Sequence, residues 1–354
     1  DGIIKIEVVV MRRRRRKKRI RKLMVLFCAL IVIGVSVWYF LPEDLKGKFG
    51  FKVTLPTIEK KLKIVDQDSN ERPIAVMIDN QAMALPHAGL QEAYLVYEII
   101  AEGGITRLMA LYKDCDVSLI GPVRSSRHYY LDYAMENDAI YAHYGWSERA
   151  RRDIASLDIN NLNGITNAPD AYWRDKTRYA PHNVFTSTEN LKKEASKKGY
   201  KMTSTEDLLL NYNVDEVNLS EKEGAGVANN VTIRYSNYQT TSYVYDSENK
   251  VYLRSTNGEA HRDAVTRNQY TAKNIIVAQV GNSAFDNYGR QDLDNIGTGN
   301  GYYITNGYAI PITWSKDSRE SQTVYKDTAG NEIEVNDGNT FIQIQPLNQA
   351  LTIN

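Results

Sequence analysis

The residue types suited to acid–base or anion chemistry gather in three short stretches of this chain. The first holds Glu98, Glu102 and Arg107 around Gly103-Gly104. Segments 94–102 and 105–112 read as two strands joined by a two-residue hairpin. Such a turn sets residue 102 opposite 105 and residue 100 opposite 107, with Arg107 diagonally between Glu98 and Glu102 on one face. A helical first arm would also bring the two carboxylates together, at i and i+4. Paired carboxylates beside a guanidinium can divide into a general acid and a general base, or clamp a ligand, because mutual charge moves their pKa values apart. The plain alternative is an exposed cross-strand ion pair worth about 0 to 1 kcal/mol.

The second stretch is Gly121-Pro122-Val123-Arg124-Ser125-Ser126-Arg127. Read as a loop opening a helix over 124–137, it offers two guanidiniums, two hydroxyls and free backbone N–H groups to a carboxylate or phosphate. An ordinary capped helix with ion-paired arginines is the competing reading. His128 and Asp132 follow four residues apart and could pair on the helix surface. The third stretch lies in the long connection 160–186, where Trp173-Arg174-Asp175 and Arg178-Tyr179-Ala180-Pro181-His182-Asn183 combine cations, an imidazole and an amide. Connections of this length without structure of their own are commonly functional. If it folds over the hairpin, a cationic pocket forms. His143, at a strand end, is a further imidazole with an ordinary structural reading.

Other chemistries find little support. The five histidines and the lone soluble Cys115 show no metal-ligand spacing, and no cofactor motif is present. His261-Arg262-Asp263-Ala264-Val265-Thr266-Arg267-Asn268 fits a kinase catalytic-loop pattern, but the rest of the kinase set is missing, so it reads as a turn. The elements around these stretches suggest an α+β organisation. An apolar run at 74–78 closed by Asp79-Asn80 predicts a strand buried on both faces, 139–144 a further strand, and 147–157 and 188–198 helices. From residue 230 onward, short Tyr-, Val-, Ile- and Thr-rich segments between turn residues predict a mainly β domain. The expected layout is a mixed α/β domain at 64–202, a linker at 203–229 and a β-rich domain at 230–348.

Charge locates the chain. Eleven of its 44 cations and two of its 43 anions precede residue 23, leaving 33 cations and 41 anions beyond it. An acidic main body argues against nucleic-acid binding through phosphates. The basic tail 1–22 meets an uncharged apolar run at 23–41, long enough at about 1.5 Å per residue to span a bilayer core. Cations stay cytoplasmic, so a single-pass signal anchor is expected, with a stalk at 42–63 and the remainder extracytoplasmic. A cleavable signal peptide has the same order of zones, but bulky Trp38-Tyr39-Phe40 ends the run without a small-residue cleavage site. Residues 1–10, ahead of Met11, read as an upstream mis-start.

Arg72-Pro73-Ile74-Ala75-Val76-Met77-Ile78-Asp79-Asn80, Val96-Tyr97-Glu98, Glu102-Gly103-Gly104-Ile105-Thr106-Arg107, the 121–127 motif and Pro181-His182-Asn183 occur here in order, followed by Tyr252-Leu253-Arg254 and His261-Arg262-Asp263. In these segments, over roughly residues 64–346, the chain resembles the YerB-like bacterial lipoprotein family. The resemblance implies a membrane-attached, extracytoplasmic protein of a Gram-positive-type bacterium, with two domains of unknown function. It supplies no reaction. Cys28 follows Val25-Leu26-Phe27 inside the apolar run and departs from a lipobox, so a protein anchor is expected instead of lipid. Three readings follow. In the first, an envelope protein binds an anionic group of a wall polymer or peptide through Arg107, Arg124, Ser125, Arg127, Arg178 and Asn183. In the second, a hydrolase uses Glu98 and Glu102, assisted by His182. In the third, a non-catalytic scaffold presents its Tyr-rich β domain to another envelope protein.

Overall fold

The computed structural model describes residues 60–354, so the basic tail, the proposed anchor and most of the stalk lie outside the described residues. Among the described residues no helix is long and apolar enough to cross a membrane. The N-terminal half is mixed α/β: β1 (Ile74–Asp79), β2 (Leu95–Ile100), β3 (Thr106–Tyr112), α1 (His128–Met135), β4 (Ile140–His143), α2 (Glu148–Ser156), β5 (Asn161–Asn163), β6 (Tyr172–Arg174), β7 (Val184–Thr186) and α3 (Thr188–Lys197). The second half is built of strands, chiefly β8 (Asn230–Arg234), β9 (Thr240–Asp246), β10 (Val251–Thr256), β11 (Asn274–Val280), β12 (Gly297–Thr305), β13 (Tyr308–Lys316), β14 (Val324–Asp327), β15 (Thr340–Pro346) and β16 (Leu351–Ile353).

The two halves share one sheet, in the order β14-β13-β12-β11-β15-β2-β3-β1-β4-β5. The join is backbone pairing: β15 runs parallel to β2 on one side and to β11 on the other. β1 and β2 are buried along their whole length, which suits their continuous apolar runs to a sheet covered on both faces. On one face Val76, Ile78, Val96 and Ile100 pack with Ile233, Tyr243 and Tyr252 of the sheet formed by β8, β9, β10 and β16, and with Leu191 of α3. On the other, Met77, Tyr97 and Ile99 pack with Tyr129, Tyr130 and Tyr133 of α1. Each such aliphatic side chain contributes about 1.5–3 kcal/mol by burial. The tyrosines of the β-rich half mainly point inward: Tyr235, Tyr243, Tyr252, Tyr270, Tyr303 and Tyr325 are buried, while Tyr238 and Tyr288 are exposed.

Local signals explain the helices. Ser147 caps α2 by accepting from Ala150 N, and Ala150 and Ile154 face inward one turn apart. Ser187 caps α3 in the same way, and Gly199, with φ +70°, follows its end. Two expectations need correction. The helix expected from Arg124 begins only at His128, after Arg127 in extended conformation and without a side-chain cap. The β2–β3 hairpin forms, but Gly103 and Gly104 both adopt positive φ within a wider turn, so Ile100 faces Thr106, Ile99 faces Arg107 and Glu98 faces Leu108. This is a one-residue slip from the two-residue hairpin, and it sends Glu98 and Arg107 to opposite faces.

Candidate functional site

Glu98 therefore points at the β8–β10 sheet, into the interior. Its carboxylate accepts from Thr106 Oγ1 at 2.8 Å, Asn80 Nδ2 at 3.2 Å, Thr241 Oγ1 at 2.9 Å and Arg254 Nη2 at 2.8 Å. Both partners of the Glu98–Arg254 pair are fully buried. From Arg254 a chain of polar contacts returns to β1. Arg254 Nη1 donates to Thr256 Oγ1 and to His261 Nδ1; His261 Nε2 lies 2.7 Å from His87 Nδ1, and His87 Nε2 lies 2.5 Å from the Asp79 carbonyl. A guanidinium has no acceptor, so His261 must accept at Nδ1 and carry its proton on Nε2. His87 then accepts at Nδ1 and donates from Nε2 to Asp79. Each ring thus has one fixed tautomer and is neutral. Burial, with Arg254 adding to it, pushes His87 down to about 3 and His261 well below its ordinary value.

The same register turns Arg107 toward α1, where Tyr130 Oη donates to its carbonyl at 2.7 Å. Segment 121–127 does not open a helix here. Val123 N donates to Val184 O and Arg124 N to Met77 O, so the segment is stitched between β7 and the end of β1. The amides of Gly121, Val123, Arg124 and Ser126 are spent on backbone pairing, not free for an anion. That stitching sets Arg124, and His182 just ahead of β7, beside Asp79. His182 Nδ1 lies 2.6 Å from Asp79 Oδ2, and Arg124 Nε lies 3.1 Å from the same oxygen, off the N–H axis. Glu102 in the hairpin turn pairs with Arg127 and, at 3.5 Å, with Arg107. Burial raises the Glu102 carboxyl pKa, but Arg127 and Arg107 outweigh it and hold the group below its ordinary value. Arg107 Nη1 also donates to the carbonyl of Ser125, whose hydroxyl donates to Tyr144 O.

These placements regroup the candidate residues. Arg107, Arg124, Arg127, Glu102 and His182 share a rim at the carboxyl ends of β1 and β2, with Ser125 as its backbone support. Glu98 is occupied by Arg254, whereas Glu102 pairs with Arg107 and Arg127, so the expected carboxylate pair does not form. Arg178 donates to Ala84 O and Pro86 O and stacks at 5.2 Å over Phe185, sharing no partner with the other three arginines. Asn183 closes its own loop, accepting from Arg174 and donating to Asp175 O and Arg178 O. His143 is buried and bonded to Gly145 O. His128 and Asp132 do not pair, because the second half offers Asp292 to one and Arg319 and Asn295 to the other. The Cys115 thiol is pushed up to about 11 by burial and is unactivated. Among the described residues no group of three or more His, Cys, Asp or Glu is placed to hold a metal ion.

Asp79, His87, Arg254, His261 and Asp263 escape a reading based on spacing. The His261-Arg262-Asp263 string does form a turn, and Asp263 organises it by accepting from Val265 N, Thr266 N and, from the first half, Gly89 N. The string's fit to a kinase pattern was the available signal; its role is to dock the two halves.

Residues 62–201 match the protein of unknown function (DUF3048) N-terminal domain, and residues 231–342 match the DUF3048 C-terminal domain. YerB of Bacillus subtilis (strain 168), which carries a provisional designation as a lipoprotein, is 31% identical over 312 residues, covering 85% of this chain and 92% of that protein. The crystal structure of YerB from Bacillus subtilis superposes with a TM-score of 0.72 at 29% identity, covering 84% of this chain and all of that one. With both domains matched in order and the same fold over most of its length, the chain belongs to the YerB-like family of DUF3048 proteins.

Proposed function

We propose that the protein is a membrane-attached, extracytoplasmic envelope protein that holds an anionic group of a wall polymer or peptide at the Arg107–Arg124–Arg127 rim. The lipoprotein designation of its relative and the basic block ahead of residues 23–41 support the location. One observation carries the binding reading: three guanidiniums meet only two carboxylates, and donors remain over. Neither Nη atom of Arg124 has a protein acceptor among the described residues, and Arg124 meets Asp79 only through Nε, off the N–H axis. Such donors suit a carboxylate or phosphate. Retention of the full chain on insoluble wall material tests this. Arg124→Ala should reduce retention at least tenfold, and equal retention would sink the reading.

A second reading, hydrolysis, is favoured by the Asp79–His182 pair. The carboxylate fixes the proton on Nδ1, and Nε2 has no protein partner among the described residues, so it is available as a base. Release of soluble wall products, abolished by His182→Gln with wall binding intact, would select this reading; no release would remove it.

A further inference from the structure

A cleft of about 600 Å³ opens between the connection ahead of β7 and the turn formed by residues 263–267. Its walls carry Arg174, Lys176, Arg178 and Arg267 against one anion, Asp175. That anion is already engaged: Oδ1 accepts from Thr177 N and Oγ1, and Oδ2 lies 3.6 Å from Arg178 Nε. Arg174 has only neutral partners, donating to Asn183 Oδ1 at 2.7 Å and stacking over Tyr144. Lys176 and Arg267 are exposed and have no ion-pair partner among the described residues. Burial, helped by the nearby Arg267, holds Arg178 below its ordinary pKa although Asp175 works against it.

The cations are held in place by their turns. Arg267 has φ +64°, a left-handed conformation that a long side chain adopts only at a cost. Its amide donates to Asp263 O at 3.0 Å, inside the turn whose carboxylate reaches across to Gly89 N. Each half of the molecule thus supplies one wall, and four cations face a single carboxylate, that of Asp175, which is already engaged by Thr177 and Arg178. Mutual repulsion of this kind is relieved by a bound polyanion. Four cations spread over such a volume exceed what a single carboxylate can match, and guanidinium forks fit phosphate oxygens.

We propose that this cleft binds a linear polyanion carrying phosphates at successive positions, independently of the rim. Calorimetric titration of the full chain with tripolyphosphate, and separately with inorganic phosphate at the same ionic strength, tests it. Tripolyphosphate should bind at least tenfold more tightly and weaken as salt rises. The double variant Lys176→Glu/Arg267→Asp should lose at least tenfold in affinity with an unchanged thermal midpoint, because both side chains are exposed and Asp tolerates the left-handed backbone. Arg127→Ala, which alters only the rim, should keep full affinity. Equal binding of the two probes, or wild-type affinity in the double variant, overturns the proposal. Loss of tripolyphosphate binding in Arg127→Ala alone would also overturn it and assign the anion to the rim.

Discussion

At the scale of single residues, the Glu98–Arg254 pair commits two fully buried ions to each other. Taking both ions out of water costs several kcal/mol each, and here the cost is offset by hydroxyl and amide donors on Glu98 and by Thr256 and His261 on Arg254. Removing one partner strands the other. Glu98→Ala should destabilise the protein by about 3–5 kcal/mol, read as a shift in the urea midpoint, whereas Glu98→Leu with Arg254→Met should cost far less. An unchanged midpoint for the single variant would contradict the pairing. Glu98 stands out in the sequence as a carboxylate inside an apolar run, but its partner lies 156 residues away. No local pattern encodes that contact, because the two side chains meet only when two sheets stack.

At the scale of elements, one turn decides which chemistry is possible. Gly103 and Gly104 take φ values of +69° and +72°, and their wider turn shifts the β2–β3 register by one residue. Because side chains alternate along a strand, that single step separates Glu98 from Arg107. The two glycines are not equivalent. A Cβ on Gly103 meets nothing within 4 Å, whereas one on Gly104 would lie 2.9 Å from Ser236 Oγ. Gly103→Asn should therefore be nearly neutral, and Gly104→Ala should cost about 1–2 kcal/mol, as chemical denaturation would show. Helix signals were more legible: the Ser147 and Ser187 caps follow directly from sequence, and Ser187→Ala should cost about 1 kcal/mol by the same measurement. The 121–127 segment misled because Gly-Pro and two serines look like a helix start, while the amides of Arg124 and Val123 are taken by β1 and β7.

At the scale of the whole molecule, the two family domains are not separable bodies. β15 lies between β2 and β11, so cutting between the halves would expose the ladder edges of both. Fragments 60–229 and 230–354 expressed apart should each lack the dispersed amide spectrum of a folded protein, and two well-dispersed spectra would show the shared sheet to be dispensable. The neutral His261–His87 chain across the junction also makes stability depend on pH. Below about pH 6.5 the unfolded chain protonates His87, whereas the folded protein resists until about pH 3. Its contribution is complete above pH 6.5 and is lost as pH falls toward 3, with a slope of up to about 1.4 kcal/mol per pH unit. Urea unfolding from pH 7.5 to 4.5 should show this decline; a flat profile would contradict neutral, buried rings.

Composition and order along the chain were enough to determine the family, the mixed and β-rich halves, and the separation of a basic tail from an acidic body, since these depend only on local pattern and charge. Tertiary structure alone decided the register of the β2–β3 turn, the burial of Glu98 against Arg254, the meeting of Arg124 and His182 on Asp79, and the cleft between the halves. Each of those rests on contacts between residues distant in sequence, where strand pairing and sheet stacking choose partners that spacing cannot reveal.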